Sequence, residues 1–281
     1  LLRRWLHRPL RDRGVVGQRH HAVSALIDAR AGELLRDAFR SLGDLERILS
    51  RVALRSARPR DLSTLRDGLS LLPSVQQILS GLDSPRLQAL HAALGEHEAT
   101  ARMLRAAIVP QPPLLARDGG TIADGYDAEL DELRQLSTNA DQFLVELEAR
   151  EREATGIATL KVGYNRVHGY YIEISKGQSV KAPVHYTRRQ TLTGAERYIT
   201  EELKAFEDKV LSARERSLSR EKLLYEGVLD LLSEVVEPLR HCAAALSELD
   251  VLAGFAERAQ ALDWSMPVLR DEPGITIERG R

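Results

Sequence analysis

A change of period in the middle of the chain constrains the fold most. Two long stretches with apolar residues three and four apart flank Ile157–Thr200, where the spacing shortens to two and Gly163, Gly169 and Gly177 divide the run into short pieces. Leu160, Val162 and Tyr164 alternate with Lys161 and Gly163. Tyr170, Ile172 and Ile174 alternate with Tyr171, Glu173 and Ser175, with a turn over 165–169 between the two runs. A weaker third strand interrupted by Pro183 and a fourth over Tyr186–Leu192 complete a predicted small antiparallel sheet. Helix on both sides and strand between them make this a β-insert in an otherwise helical chain.

Charge marks the same segment. It holds three lysines and four arginines against Glu173 and Glu196, a local excess of five positive charges, while the remainder carries a net −6. Five of the seven tyrosines also lie there. A net charge of −1 argues against a uniformly basic nucleic-acid coat, so any grip on a polyanion must be local. The candidate contacts are Lys161, Asn165, Arg166, Lys176, Gln178, Lys181, Arg188, Arg189 and Thr191: the cations neutralise phosphates, and the neutral donors fix register without reading sequence. The plain alternative for each residue is a solvated surface. Tyr164 and Tyr170 share faces with aliphatic residues, which favours core packing over base stacking.

The flanks read as helices. Val15–Leu42 suits one helix, Asp44 caps the next, Pro59 ends a helix and Asp61 caps the one after it. Two more cover Asp83–His97 and Glu98–Ile108, and the prolines and glycines of Val109–Gly125 break the pattern. Asp124 is then expected to cap an arm carrying Leu130, Leu133, Leu136, Ala140, Leu144 and Leu147, about 30 residues or roughly 45 Å long, ended by Gly156. Thr193-Gly194-Ala195-Glu196 matches a capping box, and the helix it would open runs to Pro238, with a last helix over Leu239–Leu262 and a strand-like end. The first residues, LLRRWL, and the last, GITIERGR, suggest an excised fragment.

The sequence contains no P-loop, no G-x-S-x-G and no H-E-x-x-H motif. One cysteine, Cys242, excludes an internal disulfide, and its setting suits a buried small residue. His20 and His21 are adjacent on a helix and make a poor metal pair. The many carboxylates fall among Arg and Lys on helix faces, where solvation or one-turn pairing is the ordinary expectation. No catalytic activity, metal or cofactor is expected in this chain. No apolar run reaches the length of a membrane span, and a cytoplasmic, nucleoid-associated setting is expected.

LKVGYNRVHGYYIEISKGQ and RRQTLTGAERYITEELKAFEDKVL resemble the MutS family of DNA mismatch-recognition proteins, as do LLRRWLHRPLRD, GDLERILSRVALRSARPRDL, RDGGTIADGYDAELDELR and LSELDVLAGFAERA, in the same order along nearly the whole chain. The resemblance implies a mainly α fold: a helical core with two long lever helices and a small antiparallel β-rich clamp inserted at their tips. It implies core and descending lever over 1–140, clamp over 141–205 with its β-rich part at 157–195, and returning lever and end of the core over 206–281. It also implies clamps that hold duplex DNA by its backbone in a homodimer, with Asn165, Arg188 and Arg189 as the foremost contacts and Lys176 next. Some members carry Lys-Asn where this chain has Thr193-Gly194, which puts contact there in doubt. ATP and Mg would belong to an ATPase domain outside this sequence, and a MutL-type protein would act downstream. The alternative is a structural lever whose basic tip docks an acidic protein.

Overall fold

The computed structural model describes residues 1–278 apart from 166, 168 and 271, and of 137–141 the backbone only. Arg166 therefore lies outside the described residues. The described residues form eleven α-helices and one four-stranded antiparallel sheet, which is the mainly α architecture with a small β-insert that the sequence implies. Two compact units divide the chain, one of residues 1–114 and 227–281, the other of residues 115–226.

The first unit is built from short helices: α1 (Leu2–His7), α2 (Arg13–Asp28), α3 (Ala31–Phe39), α4 (Leu45–Ala53), α5 (Pro59–Ser70), α6 (Leu72–Leu79), α7 (Pro85–Leu94) and α8 (Glu98–Ala107). The expected continuous helix from Val15 to Leu42 is broken, because Arg30 takes a left-handed φ of 51° between α2 and α3. Asp44 caps α4 as expected, its carboxylate accepting from the Arg47 amide at 3.0 Å. Pro59 opens α5 instead of ending its predecessor, since a first-turn position has no amide bond to lose. Asp61 sits in the first turn and accepts from the Arg58 amide and from Arg51 Nη1, both at 2.9 Å, so it joins α4 to α5.

Leucines fill this unit's core: Leu26, Leu35, Leu49, Leu62, Leu65, Leu87, Leu94 and Leu104 are fully buried. The last helix, α11 (Val236–Ala261), packs on α2, α3, α4 and α7 through residues that include Leu246, Leu249 and Leu252. Pro238 lies in its first turn; the preceding helix stops at Glu234, four residues short of the expected end. Two buried charges are fully engaged. Arg66 donates to the carbonyls of Ile108, Val109 and Pro110 at 3.1–3.3 Å, and Glu248 accepts two bonds of 2.7 and 2.6 Å from the partly exposed Arg86. Residues 274–278 form no strand.

The second unit contains two long helices and the sheet. α9 (Ala128–Thr155) is capped by Asp127 and not by Asp124: the Asp127 carboxylate accepts from the Leu130 amide at 2.9 Å and from Arg220 at 3.0 and 2.6 Å. Its 28 residues span about 42 Å, and Gly156, at φ 64°, ends it as expected. α10 (Glu201–Glu234) starts in this unit and runs antiparallel to α9, with Arg216 near Glu129 at one end and Arg150 against Glu202 at the other. The predicted capping box at 193–196 does not form: Thr193 and Gly194 belong to a hairpin connection, alternation through Glu196 and Tyr198 makes strand of Ala195–Ile199, and the hydroxyl of Thr200 caps α10 by accepting from the Leu203 amide at 3.1 Å.

Candidate nucleic-acid interface

The strands are β1 (Lys161–Asn165), β2 (Gly169–Ser175), β3 (Thr187–Thr191) and β4 (Ala195–Ile199), in the spatial order β1-β2-β4-β3. The expected third strand before Pro183 is a 3-10 segment, Lys176–Lys181. Val162 lies opposite Ile172, and Ile172 opposite Tyr198, so period two places these on one face. That face closes on the helices: Tyr170, Ile172, Ile174, Tyr186 and Tyr198 form one cluster with Leu147 of α9, Ile157, Leu160 and Leu203 of α10. Phe143 of α9 and Phe206 of α10 stack at 3.9 Å, and the Tyr170 ring meets Phe206 edge-on at 5.6 Å. Tyr170, Tyr186 and Tyr198 are therefore interior packing, whereas Tyr164, expected in the core, lies at the end of edge strand β1 and is 45% exposed, its ring against that of Tyr170 at 4.8 Å.

The opposite face carries one polar row across all four strands. Lys161, Glu173, Arg197 and Gln190 are successive cross-strand neighbours. Arg197 bonds Glu173 at 2.8 Å and Gln190 at 3.2 Å, and its guanidinium lies 4.0 Å over the Tyr171 ring. Tyr171 in turn covers Gly163, where a Cβ would stand 2.9 Å from the hydroxyl. Glu173 is neutralised by Arg197, which leaves Lys161 at the edge of the row without an ion pair among the described residues.

Lysines and arginines separate by environment. Lys161, Lys176 and Lys181 are exposed, and none makes an ion pair among the described residues. Each arginine described here is tied. Arg188 meets Glu196 at 3.1 Å, and Glu196, buried on the inner face, also accepts from the Tyr198 hydroxyl at 2.5 Å. Burial, reinforced by that bond, raises the Tyr198 pKa. Arg189 bonds the Tyr170 carbonyl at 3.1 Å and Glu207 of α10 at 3.0 Å. The neutral candidates are local braces: Asn165 accepts from the Val167 amide at 2.8 Å, Gln178 accepts from the Thr159 hydroxyl at 2.6 Å, and Thr191 is exposed on edge strand β3.

Of four carboxylates that the sequence assigned to solvated helix faces, three hold the sheet in place and the fourth, Glu221, ties down the segment before α9. Glu148 accepts from the Val162 amide at 2.7 Å and Glu151 from the Tyr186 hydroxyl at 2.6 Å; burial and that bond push the Tyr186 pKa up. Glu207 accepts from the Tyr170 amide at 3.0 Å. Glu221 accepts from the Gly120 amide at 3.0 Å and the Ile122 amide at 2.9 Å, and from Thr121 between them. Their signal was present: Glu151 continues the Leu144/Leu147 stripe, and Glu207 sits among Leu203, Phe206 and Val210. A carboxylate inside an apolar stripe does not face water.

The family model described as MutS domain III matches residues 1–256, which include the whole sheet and both long helices. The chain belongs to the MutS family. Its role is in DNA mismatch repair, and domain III is a non-catalytic part of a MutS protein. Among the described residues of this MutS chain, no group of three or more His, Cys, Asp or Glu side chains is placed to hold a metal ion, and no helix is long and apolar enough to cross a membrane.

Proposed function

We propose that the sheet is a clamp that holds duplex DNA by its phosphate backbone, and that α9 and α10 are the levers that carry it. Three exposed lysines, Lys161 on β1 and Lys176 and Lys181 in the 3-10 segment after β2, make no ion pair among the described residues and stand in a chain whose remainder is net negative; they carry this reading. A lysine without a partner gives its charge to a phosphate with no bond to break first, and each phosphate neutralised releases counterions. Lys161, Lys176 and Lys181 make the first contacts. Asn165, Gln178 and Thr191 add hydrogen bonds that fix register, and Arg166, Arg188 and Arg189 supply further charge. In this reading the chain divides into core and descending lever over 1–140, clamp over 141–205, and returning lever and end of the core over 206–281. In the whole protein, acting in the cytoplasm as a homodimer with a MutL-type partner, ATP and Mg held outside this sequence would drive the levers.

Anisotropy titrations of the chain with labelled duplexes of unrelated sequence, at 50 and 200 mM salt, test the reading. Equal affinity across sequences and a steep loss at the higher salt are expected. Equal binding at both salts, or displacement of duplex by an acidic protein at stoichiometric concentration, would overturn it in favour of a protein-docking tip.

A further inference from the structure

A β-bulge aims Arg189 at α10. Arg188 pairs with Tyr198 and Gln190 with Arg197, so Arg189 has no residue opposite it in β4, and such an extra residue re-aims its side chain. Its guanidinium reaches Glu207 with Nη1 at 3.0 Å and Nη2 at 3.4 Å. The same carboxylate accepts from the Tyr170 amide, while Arg189 donates to the Tyr170 carbonyl. Gly169, at φ 71°, is the only residue type that fits beside it, because a Cβ there would collide with the Glu207 carboxylate. One carboxylate thus joins β2, β3 and α10.

The two partners differ in access. The Arg189 side chain is 30% exposed and the Glu207 side chain 13%, so a dissolved anion reaches the guanidinium more readily than a cation reaches the carboxylate. A guanidinium binds carboxylate and phosphate through the same fork, so occupation by one excludes the other. Resting on the clamp reading, we propose that Glu207 is a positioning residue that holds Arg189 in reserve: it yields the guanidinium to a DNA phosphate, and the exchange loosens the Tyr170 backbone from α10. Phe206, next to Glu207, touches both the Tyr170 ring and Phe143 of α9. Displacement at Tyr170 therefore bears on the aromatic group that joins the two long helices.

In the wild type, the released carboxylate takes up a cation, which offsets the cation that the neutralised phosphate releases. In Glu207→Gln it cannot, while the amide oxygen still accepts from Tyr170. The full chain carrying E207Q is expected to bind duplex more tightly at low salt, and the ratio of its affinities at 50 and 200 mM salt should exceed the wild-type ratio about 3.5-fold, the effect of neutralising one additional phosphate. A purely structural Glu207 would leave that ratio unchanged. Hydrogen exchange on the wild type needs no variant: saturating duplex should speed exchange at the Tyr170 amide. Wild-type salt dependence in E207Q, or an unaltered Tyr170 exchange rate with duplex bound, overturns the exchange and leaves the clamp standing. Wild-type binding without salt dependence overturns both.

Discussion

The two compact units organise their interiors by different means. The first packs leucines from short helices around α11 and buries few charges, among them Glu248, paired with Arg86. The second has a small aromatic cluster, and acidic side chains on its long helices reach out to backbone amides: Glu148 to Val162, Glu207 to Tyr170, Glu221 to three successive residues. Apolar packing is non-directional and suits a scaffold that needs only to be compact. Hydrogen bonds to an ionised group are directional and strong, and they suit a small module whose orientation on a helix matters. The difference also explains how arginines and lysines of the β-insert separate: carboxylates engaged in the architecture hold Arg188, Arg189 and Arg197, while the lysines, with no ion pair among the described residues, meet an outside anion with no bond to break first.

The largest expected effect breaks the comparison if it fails. Glu221→Ala strips the acceptor from three adjacent amides and a partner from Arg134, and is expected to cost about 3–5 kcal/mol in urea unfolding. That is as large as Leu249→Ala in the first unit, about 2–5 kcal/mol. A loss below about 1 kcal/mol for Glu221→Ala would mean that carboxylates do not organise the second unit. Gly169→Ala comes next, at about 1–3 kcal/mol, because φ 71° is unfavourable for alanine and the new Cβ strikes Glu207. Tyr186→Phe removes the bond to Glu151 and keeps the ring, for about 1 kcal/mol by the same measurement. The smallest effect is in the first unit. Burial lowers the His97 pKa below its ordinary 6.5, so the unfolded chain takes up the proton first. His97's contribution is complete above pH 6.5 and is lost as the pH falls below it. Urea midpoints should fall more steeply from about pH 7 to about pH 5 in the wild type than in His97→Gln.

Local rules read much of this fold. Alternation identified the β1–β2 hairpin and its inward Tyr170, though not the exposure of Tyr164, Gly156 marked the end of α9, and Asp44 was recognisable as a cap. Failures came where two rules competed for the same residues. Thr193-Gly194-Ala195-Glu196 satisfies a capping box, but Glu196 and Tyr198 also alternate, and burial of Tyr198 against Tyr186 at 5.8 Å favours strand. The break falls on Arg30, a residue type that rarely takes a positive φ, so the residue at that position does not announce it. At the candidate interface, charge located the segment but could not tell a free cation from a tied one: Lys161 and Arg197 lie in the same transverse row, and only cross-strand register shows that Arg197 belongs to Glu173.

That sorting of cations can be tested in one comparison, by titrating duplex DNA into two variants of the chain over a range of salt. Lys161, Lys176 and Lys181 changed together to Gln should leave the unfolding midpoint unchanged while lowering the logarithmic salt slope by about 2.7, or about 0.9 for each phosphate that is no longer neutralised. Arg188 and Arg197 changed to Gln should instead lower the midpoint, because each leaves a carboxylate of the sheet without its partner. A triple-lysine variant that binds duplex with the wild-type salt slope would contradict the assignment of the sheet as a lysine-based grip on the DNA backbone.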